Sequence, residues 1–149
     1  MIRRPLSSRC GANEYRNPAL VLENIAVSDM GGRLHQRNWD ALVDTGADRS
    51  VVPISVCHDL GLSPFEWFFP MGFDRTVRPV RRPLYHLRIL VQGIRPAELA
   101  VYGIERGNIL LGRDFLKGVL LAVDGRTQVG QIGQCNVFKS ALMRLLAIC

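Results

Sequence analysis

The sequence predicts a small all-β domain, a barrel or a sandwich, with one helix added at its C-terminal end. Short runs of apolar and β-branched residues recur along the chain, and residues typical of turns separate them. The chain has 149 residues and shows no internal repeat and no linker, which favours one domain. The predicted strands span residues 20–27, 34–43, 50–53, 84–91, 97–102, 108–111 and 119–123.

Three segments depart from the strand pattern and are predicted to be helical. Residues 54–60 can form one or two turns that end at Gly61, since glycine often caps a helix C-terminus. Residues 113–117 predict a second short helix, ended by Gly118. Apolar residues repeat at helical spacing over 136–148, which predicts the added helix. We expect that helix to pack on its own domain; a subunit contact and a membrane surface are the alternatives.

The two ends of the chain are set apart from the domain. Residues 1–18 mix arginine, serine, asparagine and proline without periodicity, so we expect a flexible N-terminal arm there. The domain is placed at residues 19–134, and the helical extension at residues 135–149. Within the domain, residues 65–83 are the least regular stretch. This stretch holds the aromatic run 67–69, which is interpreted either as the lining of a substrate pocket or as part of the core.

The positive charge of the chain is interpreted as a solvated surface. The net charge is +6, and Lys117 and Lys139 are the only lysines, so arginine supplies almost all of it. The arginines are spread along the chain, with one local concentration at residues 75–82. A basic balance can indicate a nucleic-acid partner, but no motif supports one. We therefore expect no nucleic acid among the partners.

The cysteines and the hydropathy pattern argue against a metal centre and a membrane span. The four cysteines form no CxxC pair and have no spacing with histidine that suits zinc, so neither a cofactor nor a metal is expected. No signal peptide is evident, and no apolar run approaches the length that crosses a bilayer. Free thiols in a reducing cytoplasm are the expected state.

The strongest local signal is the run 41–48, in which an apolar strand ends at Asp44-Thr45-Gly46. The strand delivers a carboxylate into a tight loop, where Thr45 adds a hydroxyl and Gly46 allows close backbone approach. Peptide hydrolysis by an activated water needs two carboxylates so close that they share one proton. One acts as the base toward water and the other donates a proton to the substrate carbonyl. A simple turn at the end of a strand is the alternative interpretation.

A second signal lies about 65 residues downstream, in the run 109–116. It consists of an apolar strand, Gly112 and a short helix that begins with Arg113 and Asp114. An acidic residue at a helix start is ordinary by itself, because the helix dipole favours it there. The two runs, found in this order in one chain, form a much more specific signal than either run alone.

Together, the two runs resemble those of the retropepsins, the retroviral and retroviral-like aspartic proteases. The resemblance extends over most of the chain, about residues 20–124, and implies a small closed acid-protease barrel. It implies that Asp44 is the catalytic aspartate and that Thr45, Gly46 and Ala47 form the active-site loop. In that family, the threonine links the two loops of a dimer, and the glycine backbone contacts substrate.

The resemblance also implies roles for residues outside the loop. Asp48 would bind the substrate main chain and pair with Arg113, and such a charge-assisted pair could lock the loop against the helix. Arg113 and Asp114 would support the loop from behind. The side chains expected to bind substrate in apolar subsites are Val52, Ile109 and Leu111. The hairpin flap that covers substrate falls near residues 70–80, with Met71, Gly72 and Phe73 at its tip; a rigid surface loop is the alternative.

The chain contains one Asp-Thr-Gly, whereas the reaction requires two carboxylates. A symmetric homodimer supplies the second Asp44 without further sequence. The sequence therefore predicts a homodimeric aspartic endopeptidase that acts on peptides or proteins. A non-catalytic peptide- or protein-binding module on the same fold is the alternative, favoured by the glycine-poor flap.

Overall fold

A computed structural model describes residues 2–7, 19–69, 80–124 and 129–134. Ten strands and two short helices make up this part of the chain. The N-terminal half contains β1 (Ile2–Ser7), β2 (Ala19–Ser28), β3 (Trp39–Val43), β4 (Val51–Pro53), α1 (Ile54–Asp59) and β5 (Glu66–Phe68). The C-terminal half contains β6 (Arg82–Leu90), β7 (Ala97–Ile104), β8 (Ile109–Leu111), α2 (Arg113–Leu116), β9 (Val119–Asp124) and β10 (Val129–Gln134).

Six of the strands close into a barrel. The sheet order is β5-β6-β7-β4-β8-β3-β2-β1-β10-β9, and β6 also pairs with β2. Strands β6, β7, β4, β8, β3 and β2 therefore form a ring in which each strand has a partner on both sides. The predictions of an all-β fold and of a closed barrel are confirmed. Strand β5 extends the sheet beyond β6, while β1, β10 and β9 extend it beyond β2.

Parallel pairing brings the two sequence motifs to one end of the barrel. Strands β3 and β8 run side by side in parallel, with Val43 opposite Leu111. The residues that follow two parallel strands leave the sheet at the same end. Asp44 and Gly112, which follow these strands, therefore leave the barrel together although they are far apart in sequence.

The barrel interior is apolar and holds a buried thiol. In β6 the burial pattern largely alternates after the first residues, as expected of a strand with one face toward a core. Cys57 of α1 lies in this core, and burial raises the pKa of its thiol to about 12. The thiol is therefore neutral and shielded at physiological pH, which is typical of a structural cysteine. Side chains with no exposed surface include Leu22, Ile25, Val27, Val52, Val56, Leu87, Ile89, Val101, Ile109 and Leu111.

The N-terminal segment is more ordered than its composition indicates. The loose arm expected at the start of the chain is wrong for Ile2–Ser7, which form β1. This strand pairs with β10 over four residues and with β2 over two. Its hydrogen bonds come from strands distant in sequence, so local composition could not reveal them.

Other departures concern the edges of elements. The returning strand begins at Trp39 and not at residue 34, because Leu34 makes only an isolated bridge to Ser28. The strand β5 lies within the stretch interpreted as irregular, and β10 was not predicted. The end of α1 is as expected, with Gly61 in a left-handed conformation at φ 63°. The added helix predicted over 136–148 lies outside the described residues.

Within the described ranges, no helix is long and apolar enough to cross a membrane.

Candidate active site

The candidate site is the loop that follows β3, residues 44–50. The Asp44 amide donates a hydrogen bond to the Leu111 carbonyl at 2.9 Å, which continues the pairing of β3 with β8 by one residue. The chain then turns, and the Ala47 amide donates to the Asp44 carbonyl at 3.3 Å. The loop thus begins as an extension of a barrel strand, so the sheet holds the backbone of Asp44 in place.

The Asp44 side chain is half-buried and is positioned by its own loop. The Gly46 amide donates to Asp44 Oδ1 at 2.8 Å. This hydrogen bond fixes the orientation of the carboxylate relative to the loop. Thr45 and Gly46 are exposed beside it, and Ala47 is half-buried. The arrangement presents a carboxylate with fixed orientation at the surface of the barrel end.

Helix α2 is attached to the back of this loop through backbone hydrogen bonds. The Arg113 amide donates to the Ala47 carbonyl at 2.8 Å, and the Asp114 amide donates to the Asp48 carbonyl at 3.3 Å. Gly112 allows this approach. A Cβ atom at Gly112 would lie 2.7 Å from the Arg49 carbonyl carbon and 2.9 Å from the Ala47 carbonyl oxygen. Both neighbours are backbone atoms that cannot move aside.

We expect Gly112→Ala to lower the free energy of unfolding by about 2–3 kcal/mol, because the added methyl group forces the helix away from the loop. The matched control is Gly118→Ala, two residues beyond α2, where a Cβ would meet nothing within 4 Å. We expect the control to change stability by less than about 1 kcal/mol. Urea unfolding of the two variants measures the difference, and equal stabilities would contradict the close contact at Gly112.

A buried serine completes the attachment, and the sequence interpretation did not include it. Ser50 has no exposed surface. Its hydroxyl donates to Asp114 Oδ1 at 2.7 Å and accepts a hydrogen bond from the Gly112 amide at 3.0 Å. Its amide donates to both Asp114 oxygens, at 2.9 and 3.0 Å. One sequence signal was present: a serine begins the strand-like run 50–53, and a buried hydroxyl there needs a partner.

Asp114 joins the loop and the helix through this serine. Besides Ser50, its Oδ1 accepts a hydrogen bond from the Phe115 amide at 2.9 Å. Phe115 is buried in the core beneath α2. Asp114 therefore connects the loop to α2 through hydrogen bonds to Ser50 and Phe115, two residues that water does not reach.

The ion pair between Asp48 and Arg113 is present but exposed. Arg113 Nη2 contacts Asp48 Oδ1, with the two side chains 64% and 82% exposed, respectively. An ion pair in water contributes little to stability, because solvent screens it and two long side chains must be ordered. The lock between loop and helix therefore comes from Ser50, Asp114 and the backbone, and not from this pair. Asp48 stays available to a ligand.

Arg49 ties the other side of the loop to β7. Its Nη1 donates to the Ala100 carbonyl at 2.8 Å, and its guanidinium lies 5.7 Å from the centre of the Tyr102 ring. The Tyr102 amide also donates to the Ser50 carbonyl at 3.1 Å. The loop is thus held by β8, α2 and β7.

The three residues predicted to line apolar subsites lie inside the barrel. Val52, Ile109 and Leu111 have no exposed surface and pack in the barrel core. Their positions in β4 and β8 turn them inward. The predicted flap tip, Met71, Gly72 and Phe73, lies outside the described residues.

The aromatic run after α1 lies on the surface. Trp67, Phe68 and Phe69 are 46%, 45% and 58% exposed, respectively, at the end of the sheet formed by β5. The Arg81 guanidinium lies 5.0 Å from the centre of the Trp67 ring. The interpretation of this run as core is therefore wrong. As for metals, the described part of the chain contains no group of three or more His, Cys, Asp or Glu side chains that could hold an ion.

Comparisons with known proteins find similarity at the level of structure. No protein-family model matches the sequence, and no curated protein shows significant sequence similarity to it. The simian foamy virus (mac) protease is 21% identical, with a TM-score of 0.45 and coverage of 63% of this chain and 91% of that chain. The EIAV protease in complex with an inhibitor is 19% identical, with a TM-score of 0.44 and coverage of 72% and 92%.

A third similar structure comes from a bacterium. The retropepsin-like aspartic protease from Rickettsia conorii is 14% identical, with a TM-score of 0.48 and coverage of 77% of this chain and 95% of that chain. The fold of the chain is similar to that of retroviral and retropepsin-like aspartic proteases, the family that its two motifs resemble.

Proposed function

We propose that the chain is an aspartic endopeptidase that works as a symmetric homodimer, with Asp44 of each subunit forming the catalytic pair. The observation that carries the proposal is how the loop positions the Asp44 side chain. Its carboxylate is half-buried, accepts a hydrogen bond from the Gly46 amide, and stands on a loop braced by a buried serine and aspartate. A catalytic carboxylate needs this combination of access and fixed orientation.

Hydrolysis requires a second carboxylate next to the first. Two carboxylates in close contact share one proton, because two negative charges cannot be accommodated there. The ionised member takes a proton from water, whose oxygen attacks the carbonyl carbon of the peptide. The protonated member donates to the carbonyl oxygen. Collapse of the tetrahedral intermediate then breaks the carbon–nitrogen bond, and a proton passes to the leaving amine.

The second carboxylate comes from the partner in this proposal. The loop 44–50 places a carboxylate directly after a barrel strand, and α2 holds the loop from behind. A two-fold axis beside this loop would bring the partner subunit's Asp44 next to it, and the same hydrogen bonds would hold the loop in both subunits.

Peptide cleavage by the native chain and by Asp44→Asn tests the proposal. We expect native hydrolysis of a mixed peptide library to follow a bell-shaped profile between about pH 3 and about pH 8, and the variant to lose about 1,000-fold in rate. The matched control is Asp40→Asn, an exposed carboxylate on the same strand, which should keep native activity. If neither the native chain nor Asp44→Asn hydrolysed peptides at concentrations where a dimer is verified, the result would contradict the protease proposal and favour a binding module.

A further inference from the structure

The loop between β2 and β3, residues 29–38, is joined to the end of α1 by two side chains. The His35 ring lies with Nε2 3.1 Å from Asp59 Oδ2, and the Arg33 guanidinium donates to the Leu60 carbonyl. The His35 amide donates to the Val27 carbonyl at 2.8 Å, which fixes the backbone beneath the ring. The His35 side chain is 5% exposed, and a cleft of about 270 Å³ lies beside it.

The second ring nitrogen of His35 faces two donors and one acceptor. Trp39 Nε1–H donates to Nδ1 at 3.3 Å, and the Arg37 amide donates to it at 3.2 Å. The Arg37 carbonyl oxygen lies 3.1 Å from the same nitrogen. A neutral imidazole has one N–H and one acceptor nitrogen. The ring with a proton on Nε2 alone therefore donates to Asp59, and its Nδ1 accepts from the Trp39 indole and the Arg37 amide.

Protonation changes this pattern at Nδ1. An imidazolium ring donates at both nitrogens and accepts at neither. Its Nδ1–H can use the Arg37 carbonyl, but the indole N–H of Trp39 then has no acceptor in the ring. Trp39 is 6% exposed, and a buried donor without a partner is costly. The bond to Asp59 persists in both forms, since Nε2 donates in each.

We propose that His35, Trp39 and Asp59 form a proton-sensitive latch, in which the neutral His35 ring holds the indole of Trp39 and the protonated ring releases it. Histidine is the side chain suited to such a device between about pH 5 and about pH 8. Release acts on the first residue of β3, the strand that continues to Asp44. The latch itself does not depend on any activity at Asp44.

Charged groups of both signs surround the ring. Asp59, from α1, carries a negative charge, but its side chain is 64% exposed and solvent screens it. The loop contributes the positive guanidinium groups of Arg33 and Arg37. The Arg37 guanidinium lies 3.6 Å from the centre of the Trp39 ring. Arg33 also pairs with Asp29 at 3.7 Å, which partly offsets its charge.

The indole N–H of Trp39 reports the state of the latch directly. In the native chain with ¹⁵N-labelled tryptophan, we expect the Trp39 indole resonance to move in a single step as the His35 ring takes up a proton. The ring nitrogens of His35 should show the Nε2–H tautomer above that step. Trp67, which is 46% exposed, supplies the second indole resonance, and Trp67→Phe assigns the two.

Two substitutions separate the latch from general effects of pH. We expect His35→Gln to abolish the step, while His58→Gln, an exposed histidine on α1, leaves it unchanged. A Trp39 resonance that stays constant while His35 titrates in the native chain would overturn the proposal, and so would a step that survives in His35→Gln. The pH titration and the measurement of the His35 tautomer use the native chain, so they test the proposal even if His35→Gln does not fold.

Discussion

Mixing native subunits with an equal amount of Asp44→Asn subunits is expected to leave about one quarter of the peptide hydrolysis at the same total concentration. Random pairing makes one dimer in four fully native, and half of the dimers carry a single Asp44. A lone carboxylate cannot serve as base and acid at once, so the mixed dimers should be inactive. The activity should therefore follow the square of the native fraction. An enzyme that uses one Asp44 per chain would follow the native fraction linearly.

The measurement requires subunits that exchange, so the two chains are unfolded together and refolded at several ratios before the assay. Asp40→Asn subunits serve as the control, because this exposed carboxylate lies on the same strand and should leave activity unchanged at every ratio. A linear decline with Asp44→Asn would contradict a shared dyad even if each pure protein behaved as expected. The result is independent of the substrate chosen, since it compares ratios of one activity.

Asp114→Ala is expected to lower the free energy of unfolding by about 2–4 kcal/mol, the largest stability effect among the residues of the site. The substitution removes the acceptor for the Ser50 hydroxyl, at 2.7 Å, and for the Ser50 amide, at 2.9 Å. Ser50 has no exposed surface, so water cannot replace the lost bonds. Ser50→Ala should cost less, about 1–2 kcal/mol, because the Ser50 amide keeps its acceptor.

A double-mutant cycle distinguishes this network from two separate contacts. The double variant should lose clearly less than the sum of the single losses, since both substitutions remove the same hydrogen bond. Urea unfolding at one fixed protein concentration measures all four proteins, because subunit association also contributes to the stability of a dimer. Asp40→Ala is the control for loss of a surface carboxylate. Additive losses would show that Ser50 and Asp114 act independently.

The local features of the fold follow from the sequence with few errors. Alternating and apolar runs predicted β2, β6, β7, β8 and β9, because strand periodicity and turn residues are local properties. Gly61 was predicted at the end of α1, and it has a positive φ of 63°. Asp44 was predicted at the end of a strand because an apolar run meets Asp-Thr-Gly there, and that placement is confirmed.

The direction of buried side chains did not follow from the sequence. Ile109 and Leu111 stand in a three-residue apolar strand, for which one pattern fits both a core and the wall of a cleft. The pairing of β8 with both β3 and β4 turns these side chains inward. The exposure of the Asp48–Arg113 pair did not follow from the sequence either, because sequence indicates opposite charges but not the solvent that surrounds them.

By itself, the sequence determined most of the strands and the position of the one Asp-Thr-Gly in the chain, since each depends on residues a few positions apart. Only the tertiary structure decided which groups meet across long separations. It brought Ser50 to Asp114, 64 residues away, and His35 to Asp59, 24 residues away. It also gave β1 its partners in β10 and β2. A hydrogen bond across the fold depends on how distant strands pair and on which groups lose contact with water, and no local pattern carries that information.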